Sequence, residues 1–409
     1  MRAFRHGFTA VLGMVLVVAV AEHRAAAADA GFAAFLSSLQ PEAAQRGVSP
    51  ATFAAATRGL EPDLSLPDLA LPGQTGPSSR GQPEFLQTPA EYLRESKFDR
   101  LASQGSALLQ QHRATLAAIE QRFGVPGPIV LAIWGRETAY GGYNLPYDAI
   151  RVLATQAYVG RRKDYFRDQF LSALKMLQDG VPRQLMRASW GGAMGLTQLL
   201  PSEYYAYGVD MDGDGRVDIW NSIPDALATA AKQLAAKGWM RGQRWAIEVR
   251  APRGVDCTLG VPDVKRPVSE WIRAGFTPAY GRALSKAEME EPASLLQPAG
   301  LYGPSFLTPQ NYFVIKEYNT SDLYVLFVGH LADRMIDPRP FETPWRKVVQ
   351  LKTADVEWMQ KRLAALGLYA DKIDGKAGMK TRSAVGAFQK AKGLAVDCWP
   401  TADVLAHMR

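Results

Sequence analysis

The spacing of hydrophobic positions changes several times along the chain, and each change marks a segment. Arg2 and Arg5 precede an apolar run from Gly7 to Ala21, and the small residues Ala25 to Ala28 follow it. Basic, then apolar, then small is the order of a cleavable export signal, expected here over residues 1–28. The run has the length of a signal core and is short for a membrane span. Phe32, Phe35, Leu36 and Leu39 recur at helical spacing and predict helix within residues 29–60. Residues 61–82 are rich in Pro, Gly and Ser and read as a loop. From Pro83 to about Arg250 the pattern is mostly helical, punctuated by Gly and Pro at 124–127, 141–146 and 180–182. Residues 251–310 read as irregular, with short helical pieces around Glu270 and Glu288, and Phe313 to Met335 reads as helix again. Three prolines between Asp337 and Pro344 predict a stiff linker over 337–352. Val356, Met359, Leu363 and Leu366, then Val385, Phe388 and Leu394, predict a small three-helix unit over 353–409. The expected fold class is mainly α, with a large helical region at 29–336, a linker and a small C-terminal domain.

Composition narrows the chemistry. Two cysteines in 409 residues exclude a disulfide-built scaffold and a cysteine-based zinc cluster. None of the five histidines stands in an H-E-x-x-H arrangement, which argues against a zincin. The formal charge is +7; without residues 1–28, which carry Arg2, Arg5, Arg24 and Glu22, it is near +5. That favours an anionic partner without naming one. No basic stripe with interleaved aromatics points to nucleic acid. No Gly-rich phosphate loop and no G-x-S-x-G elbow appears. No cysteine follows the apolar run to carry a lipid, and no later stretch is apolar enough to span a bilayer. The expectation is an exported, periplasmic, soluble monomer without a stable membrane anchor.

Two segments carry candidate chemistry. Pro126 to Tyr140 runs through the apolar stretch Ile129, Val130, Ala132, Ile133 and Trp134 and reaches Glu137 just before Gly141-Gly142. The glycines predict the helix end, so Glu137 falls in its last turn. A carboxylate there meets the negative end of the helix dipole, and nearby Trp134 and Tyr140 would desolvate it. Both effects favour the protonated form that a general acid needs. From position alone, a surface glutamate beside Arg136 is the more ordinary reading. The second segment, Ser189 to Tyr204, is crowded with small residues that permit close approach of a backbone or ligand. Ser189 can orient a carboxyl, and Gln198 can both donate to and accept from sugar groups. A tight packing turn explains the same residues.

Glu137-Thr-x-Tyr140-Gly, followed by Ser189-x-x-Gly192-Ala-Met-Gly-x-x-Gln198-x-x-Pro201-Ser, resembles the lytic murein transglycosylase B family. Gln82-Pro83-Glu84-Phe85, Gly160-Arg-Arg-x-x-Tyr165-Phe166 and Tyr318-Asn319-x-Ser321 agree with it. The resemblance covers most of residues 30–336 and implies a lysozyme-like catalytic domain acting on peptidoglycan. It also implies cleavage between N-acetylmuramic acid and N-acetylglucosamine with formation of a 1,6-anhydro end. It gives Glu137 the role of acid, then base. Ser189, Gln198, Tyr318 and Asn319 become cleft residues, with Tyr140 and Arg162 as further contacts. Where the family often has a cleft tyrosine, this chain has Gln233. A muramidase that uses water, and a non-catalytic wall-binding scaffold, remain alternatives.

The stretch Asp210-Met-Asp212-Gly-Asp214-Gly215-Arg216-Val-Asp218 matches the start of a calcium loop, with Asn221 where such a loop ends in glutamate. The resemblance suggests closure by the later Asp225, with Arg216 lending only its backbone carbonyl. A structural Ca2+ and a metal-free Asp/Gly turn both stay open, and the reaction needs no cofactor. In the tail, Val356 to Gly367 and Ile373-Asp-Gly-Lys-Ala-Gly378 through Phe388-Gln389 resemble the peptidoglycan-binding type 1 domain. That resemblance implies a module that concentrates the enzyme on glycan strands. Cys257 and Cys398 lie in different segments. An oxidising compartment permits them to pair and clamp the tail to the catalytic region, and two separate thiols are the other reading.

Overall fold

The computed structural model describes residues 30–71 and 86–409. The expected signal at 1–28 and the motif Gln82-Pro83-Glu84-Phe85 lie outside the described residues. The chain divides into two compact units along lines other than the expected domain limits. Unit one joins Met1–Ser79 to Asn144–Ala206; unit two joins Arg80–Tyr143 to Tyr207–Arg409. The tail thus falls in the same unit as Glu137.

In unit one, helices over 30–38, Gln40–Gln45 and Pro50–Thr57 answer the first predicted pattern, and Phe32, Leu36 and Leu39 are buried. Ser49 caps the last of these by accepting from the Thr52 amide. The helices Ala149–Val159 and Lys163–Gln178 form the unit's centre. The first is apolar almost all round, as a helix covered on several sides must be. A two-stranded antiparallel pair, Tyr147–Asp148 with Arg187–Ala188, holds the loop that contains Ser189.

Unit two is built around the buried helix Gly127–Thr138, packed by Glu95–Gln111, Arg113–Phe123, Ile223–Ala236 and Asp322–Arg334. Gly329 makes one crossing possible, because a Cβ there would stand 2.1 Å from the Trp245 ring. Among the described residues no single helix is long and apolar enough to cross a membrane.

The region expected to be irregular forms a five-stranded antiparallel sheet. Its spatial order is Arg266–Pro267, Pro292–Leu296, Ser305–Thr308, Ile247–Arg250, Thr277–Pro278. These strands have two to five residues, too few to display alternation, and Ser305–Thr308 is buried on both faces. The two short helices predicted here are present, at Val268–Arg273 and Lys286–Glu290.

The expected stiff linker is also different in kind. Its prolines keep it out of regular structure, but it is laid along the sheet as a strap. Phe341 packs on Phe306 and stacks on His330, with ring centroids 5.2 Å and 3.7 Å away. The amides of Glu342 and Thr343 donate to the Glu248 carboxylate at 3.2 Å and 3.0 Å. Trp345 covers Gly303, where a Cβ would stand 2.5 Å from the ring.

The tail contains the three predicted helices, Thr353–Ala365, Met379–Ala391 and Ala402–Met408, closed over Met359, Leu363, Val385, Phe388 and Val404. It is fastened to the sheet region by a disulfide between Cys257 and Cys398. The Leu301 amide donates to the Asp397 carbonyl at 3.0 Å, and the Ser383 hydroxyl to the Thr258 carbonyl at 2.7 Å. Lys390 pairs with Asp256 at 2.6 Å.

Candidate active site

The end of the Gly127–Thr138 helix positions Glu137. The helix stops before the glycine pair that the sequence offers as its brake. Ala139 and Tyr140 already hold left-handed φ values of 50° and 58°, and Gly141 follows at 81°. Two non-glycine residues in that region are strained and need support from their surroundings. Tyr140 supplies it. Its ring lies against Gly135, where a Cβ would stand 2.6 Å from the ring, and edge-on to Trp134 at 5.5 Å. Its hydroxyl donates to the Leu101 carbonyl at 3.0 Å. Expected as a substrate contact, Tyr140 is only 8% exposed and anchors the helix end instead. Burial pushes its hydroxyl pKa well up, so it stays a donor.

Glu137 faces an open cleft of about 690 Å³. Among the described residues that line this cleft, it is the one carboxylate, and Lys97, Arg100 and Arg136 are the cations. Burial, then the neighbouring Arg94 and Arg136, lower the Lys97 pKa. Arg136 donates to the Tyr92 hydroxyl at 3.0 Å and 2.7 Å, and its guanidinium lies over the rings of Tyr324 and Phe327 at 5.6 Å and 5.5 Å. These contacts fix the neighbour of Glu137 on the backbone.

Tyr324, which the sequence reading overlooked, donates its hydroxyl to Glu137 Oε1 at 2.5 Å. It is 1% exposed. Burial raises its pKa far above the ordinary value, and the Glu137 charge adds to this, so the phenol keeps its proton. Tyr318 stacks on Tyr324 with rings 6.4 Å apart and 6° from parallel. Asn319 ends the Gln310–Tyr318 helix and accepts the Ser321 amide at 3.1 Å. A buried tyrosine hydroxyl needs a partner. That rule alone could have singled out Tyr324 in the otherwise apolar Leu323–Val328 run.

Ser189, Gln198 and Arg162 belong to unit one. The Ser189 hydroxyl accepts the Ala193 amide at 3.2 Å within a turn that includes Gly192 at φ 84°. A Cβ on Gly192 would stand 2.2 Å from Leu153. Gln198 has φ 57° and donates its side-chain amide to the Gly195 carbonyl at 3.1 Å. The small residues of this segment therefore serve a tight turn, and both side chains remain partly exposed. Arg162 is exposed, 3.7 Å from Asp68, with its guanidinium over the Tyr165 and Phe166 rings. In unit two, Gln233 is 3% exposed on the Ile223–Ala236 helix and presents no face to a sugar.

The acidic loop of unit two brings carboxylate oxygens of Asp210, Asp212 and Asp214 within 4.8 Å of one another. Gly213 and Gly215 take φ values of 80° and 88°, which lets their amides turn inward to Asp210 at 2.6 Å and 2.9 Å. Asp225 is not part of that cluster. It is fully buried and accepts the amides of Met211, Asp212 and Asp218 at 2.8, 3.4 and 2.9 Å. Ser222 caps the following helix. The oxygen-only cluster suits a hard cation, with Asp225 bracing the loop from behind.

The chain matches the Transglycosylase SLT domain over residues 31–333. It belongs to that family. Residues 352–408 match the putative peptidoglycan binding domain. Among solved relatives, SltB3 from Pseudomonas aeruginosa, in complex with NAG-anhNAM-pentapeptide, is 39% identical, with a TM-score of 0.82 over 92% of this chain and 99% of that one. The Escherichia coli lytic transglycosylase Slt35, in complex with calcium, is 29% identical, with a TM-score of 0.52 over 61% of this chain and 80% of that one. The membrane-bound lytic murein transglycosylase B of Escherichia coli strain K12 is 30% identical over 236 residues, 56% of this chain. The match spans 62% of that relative's own length. The mainly α, lysozyme-like fold expected of the SLT family is the fold observed, supplemented by the sheet.

Proposed function

We propose that this SLT-family chain is a lytic transglycosylase that cuts the MurNAc–GlcNAc β-1,4 bond of peptidoglycan. The observation that carries the reading is Glu137, the one carboxylate among the described residues that line the cleft, where the other charged lining residues are cations. A hydrolase that activates water needs a second carboxylate as base or nucleophile. An intramolecular nucleophile does not, because its effective concentration is already high. Glu137 gives its proton to the bridging oxygen as the C1–O bond breaks, and the GlcNAc side leaves as an alcohol. The muramyl C6 hydroxyl then bonds to C1 and returns its proton to Glu137. No water is consumed, and the carboxyl ends protonated as it began. Tyr324 holds the carboxyl in place through Oε1. Lys97, Arg100 and Arg136 suit a polymer whose stem peptides carry carboxylates. Tyr318 and Asn319 are the proposed substrate contacts of unit two; Ser189, Gln198 and Arg162 keep the contact role that the family resemblance gives them.

Peptidoglycan glycan strands are the partner, consistent with the tail's family match, and the periplasm is the compartment. Ca2+ held by Asp210, Asp212 and Asp214 is proposed as a structural ion of modest affinity, outside the chemistry. Mass analysis of muropeptides released by the protein tests the reaction. The anhydro product is one water lighter than the hydrolysis product, and exclusive release of the hydrated form sinks the proposal. Calcium that leaves the melting temperature unchanged at millimolar concentration sinks the metal proposal.

A further inference from the structure

The tail is joined to the catalytic region by more than a tether requires. The Arg382 guanidinium, on the tail helix Met379–Ala391, enters unit two's interior and donates to Asp322 Oδ2 at 3.0 Å, both side chains being 8% exposed. Its other nitrogen donates to the Ala377 carbonyl at 2.6 Å, which fixes the plane of the fork. Asp322 is the first residue of the Asp322–Arg334 helix, two positions before Tyr324. Its second oxygen accepts the Tyr312 hydroxyl at 2.7 Å and pairs with Lys316. Tyr312 and Lys316 stand on the Gln310–Tyr318 helix, which ends in the ring stacked on Tyr324. One carboxylate thus ties together the two helices that present Tyr318 and Tyr324, and the tail provides one of its two cations.

We infer that Arg382 of the C-terminal module is a positioning residue for the reaction, acting through Asp322 on the Tyr324 hydroxyl that holds Glu137. A buried ion pair is weak evidence of stability, because desolvation offsets its attraction. What it does provide is a single geometry, and here that geometry is transmitted along one turn of helix to the catalytic carboxyl. The disulfide between Cys257 and Cys398 and the Ser383 and Lys390 contacts hold the module in the register that places Arg382. The inference rests on the proposed reaction.

The test uses the full chain and soluble, uncrosslinked glycan strand fragments, so that retention on insoluble wall does not enter. Arg382→Met is expected to lower kcat by about 10–100-fold with KM within about threefold of wild type. Arg382→Lys is expected to recover most of that loss. Combined with Tyr324→Phe, Arg382→Met is expected to lose no more than the larger single change, the mark of residues acting as a unit. Should Arg382→Met fail to fold, Arg382→Lys with Tyr324→Phe supports the same cycle. A folded Arg382→Met with kcat within about twofold of wild type, or losses that simply multiply, overturns the role of Arg382 alone. A wild-type chain that releases no anhydro product overturns the reaction and this inference with it.

Discussion

Glu137 and Asp322 are carboxylates of unit two that stand at opposite kinds of helix end. Glu137 lies in the last turn of its helix and opens onto a cleft, with the buried Tyr324 phenol at Oε1. Asp322 begins its helix, where the dipole favours negative charge. Burial works against its ionisation, but Lys316 and Arg382 outweigh it and hold the carboxyl well below the usual range. One group opens onto the cleft; the other is locked as a permanent anion. The same functional group becomes reagent or joint according to the helix end, the neighbouring cations and access to the cleft. Tyr324, two residues from one and bonded to the other, links them.

Four changes test that contrast. The largest effect is expected from Glu137→Gln, which removes the cleft carboxylate while keeping its shape. Anhydro-muropeptide release should fall by about 10³-fold or more, with melting temperature nearly unchanged. Asp322→Asn should lower stability as well as kcat. It strands Lys316 and Arg382 in the interior and should cost about 3–5 kcal/mol in denaturant unfolding. A melting temperature unaffected by Asp322→Asn would break the comparison.

Glu248 sharpens it as an intermediate case. Burial pushes its pKa up to about 7, against the pull of the Thr343 and Glu342 amides. A carboxyl whose folded pKa is raised stabilises the fold below its unfolded value near 4.5 and loses that contribution as pH rises through 7. Between pH 5 and pH 8, wild type should lose about 2–3 kcal/mol at this site. Glu248→Gln should flatten that slope. Tyr324→Phe completes the series, with a kcat loss of about 10–100-fold, since a hydrogen bond to a charged group is worth about 1.5–3 kcal/mol. Equal kcat in the phenylalanine variant would detach the phenol from the carboxyl.

Much of the site was readable where physics acts locally. The apolar run from Ile129 to Trp134 followed by glycines placed Glu137 in a final helical turn, where it is. The Asp/Gly alternation from Asp210 to Gly215 predicted a turn with clustered carboxylates, and three of them cluster. Reading failed where a residue's role depends on something distant in sequence. Tyr140 looked like a contact because it follows the glutamate, but Leu101 and Gly135 claim it. Asp225 was expected as a ligand, and the three loop amides that donate to its carboxylate were not foreseen. The sheet strands were too short to show a period, and the strap's prolines forbade regular structure without saying what Phe341 would cover.

By itself, the sequence determined the helical class, the family and the place of Glu137 in the last turn of its helix. Helical periodicity, glycine stops and motif spacing all act within a few residues. Only the tertiary structure decided which tyrosine holds Glu137, that the linker is a strap, that Cys257 meets Cys398, and that Arg382 reaches Asp322. Those pairings join positions 60 to 187 residues apart. They depend on the packing of whole helices, which no local pattern encodes.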